Sequence, residues 1–330
     1  MIAAKHPVVA VTLGDPAGIG PELVARALAA PPAGVTLRVF GDRGVVERAA
    51  EACNVAPAWD HFELVELTAL TAEEARPGVA AIGRAQVAYL EAAIAAALRG
   101  EVGALCTAPI HKAACKAAGF EFPGHTELLA QRFAPVGGRA LPVTMMLVGP
   151  RMRVSLATVH IALAEVPRIL ALDEGEVIVR AIVQTVDALR DRFGIATPRV
   201  AIAGLNPHSG EAGHFGVEEQ SIVAPAIVRA RSILAASGYA TLTGPEVPDV
   251  VFRAHLDGRY DAVVALYHDQ GLIPVKLVDF EEAVNVTLGL PILRTSPDHG
   301  VAYDIAGRGI ARDTSFRAAL SLAVGSVSGR

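Results

Sequence analysis

The sequence is short of cysteine, of surplus positive charge and of long uninterrupted apolar runs, and each shortage excludes a class of protein. Its three cysteines, Cys53, Cys106 and Cys115, are odd in number and show no C-x-x-C spacing. That argues against a disulfide framework and against a cysteine zinc site, and it reads as a set of reduced cytoplasmic thiols. With 29 Lys+Arg against 34 Asp+Glu, the formal net charge of -5 leaves no electrostatic footprint for nucleic acid or an anionic membrane. Any anionic ligand must then be held by locally placed cations. No uncharged apolar span of about 18 residues occurs. The apolar run near the N-terminus is interrupted by Gly14-Asp15-Pro16, too short for a signal peptide core. Internal repeats and low-complexity segments are also missing.

What is present is a core-rich chain. Hydrophobic residues make up 52% of 330 positions and charged residues 19%, enough for two domains with a core each. Short apolar runs alternate with longer helical patterns from end to end, which predicts an α/β fold with mostly parallel sheets. Helices are expected over residues 22–30, 84–99, 174–193, 217–237 and 314–327. Asp173 with Glu176 resembles a capping box for the third, and Asp313 suits the N-cap of the last. Two packed α/β/α domains are expected, approximately 1–105 plus 262–330 and 106–261, with the active site in the cleft between them.

The stretch 261–276, DAVVALYHDQGLIPVK, organises the chain: an apolar run ends abruptly in Tyr267-His268-Asp269-Gln270-Gly271. Four other runs end the same way, before Gly14-Asp15, Thr107-Ala108-Pro109, His160 and Asn206-Pro207-His208. Ligands bind outside the carboxyl ends of parallel strands, so such tips can converge on one site. That pattern points to an enzyme.

Each motif has a plain reading beside a functional one. Gly14 to Glu22 follows a strand and opens a helix with Pro21 near its start, which suits an anion or only a tight turn. It matches neither G-x-G-x-x-G nor the P-loop. His160, His208 and His268 share a position at strand ends, and three neutral imidazoles with an open position make a catalytic site for Zn²⁺ or a similar ion. Taken singly, each is an ordinary histidine. Asp269 would orient a ligand or cap a turn. In Pro123-Gly124-His125-Thr126-Glu127, Thr126 is an N-cap or, with His125, a substrate contact. Lys276, Asn285 and Arg294 are solvated residues or together a phosphate or carboxylate site, with Lys112 a further cation.

Taken in order, VTLGDPAGIGPEL, TAPIHK, PGHTE, TVH, LNPHSGE, YHDQGL, VNVTLGLP and RTSPDHG-x-A-x-D-I-A-G-R-G resemble the PdxA family of 4-hydroxythreonine-4-phosphate dehydrogenases. That family lies within the isocitrate/isopropylmalate dehydrogenase-like group, and the likeness runs from about Val8 to the last helix. The resemblance implies a divalent metal (Zn, Mg or Co) on His160, His208 and His268, drawn from both subunits of a homodimer. It implies substrate contacts from His125, Thr126, Lys276, Asn285 and Arg294, and NAD(P) bound with help from Asp304, Gly307 and Arg308. Arg308 stands where the family often has Lys, and Asp249 follows Val-Pro where the family has Pro-Ala. The general base stays open among Lys276, Asp249 and a water on the metal. The implied chemistry is hydride transfer from a secondary alcohol to NAD(P)⁺, then decarboxylation, in vitamin B6 biosynthesis. A same-family dehydrogenase of D-threonate or D-erythronate 4-phosphate, and a three-histidine metal hydrolase without nucleotide, are the alternatives.

Overall fold

The computed structural model describes residues 6–235 and 240–328. The first five residues and the expected helix end at Ser237 therefore lie outside the described residues. The strands run β1 (Val8–Thr12), β2 (Thr36–Gly41), β3 (Phe62–Glu66), β4 (Ala104–Thr107), β5 (Thr144–Val148), β6 (Arg153–Leu156), β7 (Arg199–Ala203), β8 (Thr241–Glu246), β9 (Ala262–Ala265), β10 (Val284–Leu288) and β11 (Leu293–Pro297). The helices are α1 (Gly20–Leu28), α2 (Arg43–Cys53), α3 (Ala80–Leu98), α4 (Lys112–Ala117), α5 (His125–Arg132), α6 (Val166–Ala171), α7 (Glu176–Asp191), α8 (Ala224–Leu234), α9 (Pro248–Leu256), α10 (His268–Asp279) and α11 (Thr314–Val327).

The chain forms two compact units, Met1–Leu141 with Leu290–Arg330, and Pro142–Gly289. It leaves the first once and returns to it. The expected boundaries near 105 and 261 fall inside these units. The reason is strand pairing: β4 lies between β1 and β11, so the segment after it stays with the first unit, while β9 lies between β6 and β7 and cannot close the second. In the first unit the order is β3-β2-β1-β4-β11, parallel at every pair. In the second the order is β10-β5-β6-β9-β7-β8, antiparallel from β10 to β6 and parallel beyond. This is the α/β class with mostly parallel sheets that the alternation of runs predicts.

Parallel strands covered on both faces read as unbroken apolar runs, and here Val9, Ala10, Val11 and the whole of β9 are buried. Helix α3 is long and apolar enough by length and composition to cross a membrane. It is instead the core helix of the first unit, with Ala85, Tyr89, Leu90, Ala93 and Ile94 buried. Two helix starts differ in detail from expectation. Helix α7 begins after Gly175 with no side-chain cap, and Asp173 and Glu174 lie upstream in left-handed conformations, so no capping box forms. Asp313 does occupy the N-cap of α11, but its carboxylate accepts from Arg317 Nε at 2.5 Å rather than from the helix backbone.

The first unit is fastened by one buried acid. Asp42, 1% exposed, follows β2 and accepts from the backbone N–H groups of Leu67, Thr68 and Leu70 and from the hydroxyls of Thr68 and Tyr89, at 2.6–3.3 Å. Burial alone would raise its pKa, but these donors outweigh it and hold the group down at about 2. A depressed carboxylate contributes stability that is intact above its ordinary value of 3.8 and is lost as pH falls towards about 2. Asp42→Ala strands several buried donors and is expected to lower unfolding free energy by about 3 kcal/mol at pH 7. Urea unfolding measures this, and a loss under about 0.5 kcal/mol would show that the network is not a fastening.

Candidate functional site

In the second unit, the tips of β6 and β9 run side by side past their ends. Ala157 N–H donates to Ala265 O at 2.9 Å, and the Thr158 hydroxyl donates to Leu266 O at 2.7 Å. Two residues beyond Thr158 and Leu266 stand His160 and His268, and their rings lie 5.5 Å apart, centroid to centroid. Helix α10 sits low on the sheet because Gly271 has no side chain: a Cβ there would lie 2.5 Å from Leu156 Cδ2. That seating fixes the direction of His268 at the helix start. His268 Nδ1 meets Asp269 Oδ1 at 2.7 Å, which leaves Nε2 directed away as a donor atom for a metal. A cavity of about 420 Å³ opens here, lined by Thr158, His160, Tyr267, His268 and Asp269 among others.

Gln270, part of the organising stretch but given no role there, joins this pair to the third strand tip. Its carbonyl accepts from Leu266 N–H and its amide donates to Gly204 O, both at 2.7 Å. Residues 205–213 carry His208, which is exposed with its ring 6.1 Å from that of Phe215. Among the described residues no three His, Cys, Asp or Glu side chains gather as a metal site. The chain by itself thus pairs His160 with His268 and does not add His208. Two adjacent imidazoles fit the donor chemistry of a divalent ion at two positions. Asp249 is exposed in the first turn of α9, Lys276 lies further along α10, and Asn285 is half-buried on β10.

The first unit gathers the cations. Arg294 on β11 is 4% exposed, and its Nε and Nη2 donate to Thr107 Oγ1 at 3.1 and 2.8 Å. Burial pulls its pKa down to about 10, against the pull of Cys106 and Glu127, so it remains charged at neutral pH. His125 opens α5, and its buried Nε2 has no hydrogen-bond partner among the described residues. Burial, then Arg294 and Lys112, hold it well below its ordinary pKa of 6.5. Thr126 is not the cap of α5, since Gly124 occupies that position and Thr126 lies in the first turn. Its hydroxyl is therefore not committed to the helix start. A buried cation beside an orphaned imidazole nitrogen is an environment that an anionic ligand would complete.

The Gly14 turn joins the same unit at β4. Gly14 needs its positive φ and its missing Cβ, which would stand 2.3 Å from Pro109 O. The loop with Asp304, Gly307 and Arg308 is laid along α1: Tyr303 donates to buried Asp15 at 2.5 Å, and Gly307 N–H donates to buried Glu22 at 2.5 Å. Asp304, Gly307 and Arg308 themselves face solvent. Asp15, Glu22 and Tyr303 are supports that lay within recognised motifs without being distinguished there.

A family model described as "Pyridoxal phosphate biosynthetic protein PdxA" matches residues 34–323. The chain is 44% identical over 338 aligned residues to the 4-hydroxythreonine-4-phosphate dehydrogenase of Desulfosudis oleivorans, covering 97% of this chain and 96% of that one. Among solved structures it is similar to the Klebsiella pneumoniae enzyme of the same name, with TM-score 0.80, 36% identity and coverage of 98% and 99%. It is also similar to a terephthalate 1,2-cis-dihydrodiol dehydrogenase from Burkholderia xenovorans, with TM-score 0.69, 33% identity and the same coverage.

The depressed pKa of His125 predicts that its imidazole stays neutral where an ordinary histidine, with its value of 6.5, takes up a proton. NMR of the ring C–H resonances measures this. A titration midpoint near 6.5 would place the ring in a solvated, cation-free setting and contradict the geometry.

Proposed function

We propose that this chain, which belongs to the PdxA family, oxidises 4-hydroxythreonine 4-phosphate to 2-amino-3-oxo-4-(phosphooxy)butanoate, which decarboxylates to 3-amino-2-oxopropyl phosphate on the way to pyridoxal 5'-phosphate. The supporting observation is near-full-length likeness to relatives that carry this dehydrogenase name. The relatives' names give the hydrolase alternative no support.

The site residues take roles that their settings suit. His160 and His268 hold a divalent ion, with His208 as third ligand. Arg294, charged at neutral pH, and neutral His125 bind the substrate's anionic groups with Thr126, Lys276 and Asn285. Asp304, Gly307 and Arg308 meet the nucleotide. When bound, the ion would supply Lewis acidity and the nucleotide would supply a hydride acceptor. Asp269 fixes the tautomer of His268 through their 2.7 Å contact. Lys276 or Asp249 takes the alcohol proton, and Lys276, on the helix that His268 opens, is the nearer of the two in sequence to the metal pair.

A cytoplasmic homodimer with shared sites completes this reading. Its support is twofold. Among its described residues the chain pairs His160 with His268 and gathers no third ligand, and α10 with its C-cap carries an exposed apolar stripe of Ile273, Leu277 and Phe280 at helical spacing. A second copy seated on that stripe would cover the helix that bears His268 and Lys276.

A second substrate reading has a specific observation in its favour. The Burkholderia xenovorans relative is named for a dihydrodiol, so a substrate with a neighbouring hydroxyl, such as D-threonate or D-erythronate 4-phosphate, suits the same fold. Formation of NAD(P)H at 340 nm separates the readings. With metal-supplemented protein, 4-hydroxythreonine 4-phosphate is the preferred substrate, and His268→Ala lowers its turnover by at least about a hundredfold. Preference for the threonate would transfer the enzyme to sugar acid phosphates, and no turnover of either would overturn the dehydrogenase reading.

A further inference from the structure

The segment that carries His208 has an unusual backbone. His208, Ser209, Glu211 and Ala212 have φ of 52°, 52°, 41° and 55°, and Gly210 and Gly213 are positive as well. Six successive residues thus wind into a left-handed turn. Side chains other than glycine resist that conformation, and it persists only where the surroundings over-determine it. A solvent-facing loop has no need of it for packing.

One buried carboxylate holds the foot of the turn. Glu219 is 3% exposed, and its Oε1 accepts from the N–H groups of Leu205 and Asn206 at 2.8 and 2.7 Å. Its Oε2 accepts from Asn206 Nδ2 at 3.0 Å. It opens a π-helical turn, Glu219–Val223, a local widening that often marks functional positions. The turn closes tightly over it: a Cβ on Gly210 would stand 2.7 Å from Glu219 Oε2, and one on Gly204 would stand 2.6 Å from Ser209 Oγ. Gln270 fixes the foot of the turn from the other side, through Gly204 O. The strained arm is held at its base, and His208 projects from it exposed.

We infer that Glu219 is a positioning residue for His208: it holds the left-handed turn so that the imidazole is presented, already oriented, to the metal pair of a second copy. This rests on the ligand set proposed above. A ligand that arrives from another subunit must be oriented before it binds, since ordering it afterwards would weaken the site. A buried acid that satisfies the backbone on which the ligand stands serves that need.

Co²⁺ titration of the purified, metal-free protein tests the inference, followed by the visible absorption of the bound ion. Glu219→Ala is expected to weaken Co²⁺ binding by roughly tenfold to hundredfold. Glu219→Gln keeps an oxygen for the two backbone donors and retains more of the affinity than Ala does. If the Ala variant fails to fold, the Gln variant alone is read, and it still binds Co²⁺ more weakly than wild type. His208→Ala is the control. Weakened binding in His208→Ala with unchanged affinity and spectrum in both Glu219 variants would overturn this inference and leave the ligand set standing. Unchanged binding in His208→Ala would overturn the ligand set, and this inference with it.

Discussion

Hydrogen bonds beyond the ends of β6 and β9 govern the placement of the His160–His268 pair. Parallel strands offer evenly spaced, slanted bonds, and Ala157 and Thr158 continue that ladder to Ala265 and Leu266. The pairing brings His160 and His268 to one edge, and the Gly271 contact with Leu156 sets the helix that directs His268. Gln270, buried between Leu266 and Gly204, extends the same registration to the third strand tip. The second unit is thus a scaffold that aims imidazoles, and the first is a scaffold that keeps one buried cation charged beside a neutral imidazole. Arg294 on Thr107 and neutral His125 are the result of that second arrangement.

Both units fasten exposed chemistry with buried acids. Asp42, Asp15, Glu22 and Glu219 are all nearly inaccessible, and each accepts hydrogen bonds from backbone or tyrosine donors of a neighbouring loop. A carboxylate offers several acceptor positions, so a single residue can hold a whole turn. Loops that carry ligands can then be rigid without a core of their own.

The strand tips were legible in the sequence because covered parallel strands are unbroken apolar runs, and polar residues after them can only be at the ends. The histidines stood out for that reason, and Arg294 and the 304–309 loop through ordered resemblance to one family. Glu219 did not stand out, since an acid within Val217-Glu218-Glu219-Gln220 reads as the solvated face of a helix. Its burial comes from tertiary contact with residues 205–206. The capping box at Asp173 failed for a related reason: the local pattern was right, but the chain turns left-handed before α7 begins. Domain edges near 105 and 261 misplaced the crossings because sequence order does not reveal which strands lie inside a sheet.

The central claim is that the metal pair of one chain is completed by His208 of another, and mixing two inactive variants tests it most directly. Subunits of His208→Ala and His268→Ala, unfolded and refolded together, should recover roughly a quarter of wild-type activity, from mixed dimers with one intact site each. His160→Ala mixed with His268→Ala should recover none, because both lesions strike the same half-site. Recovery in the second mixture, or none in the first, would contradict a shared site.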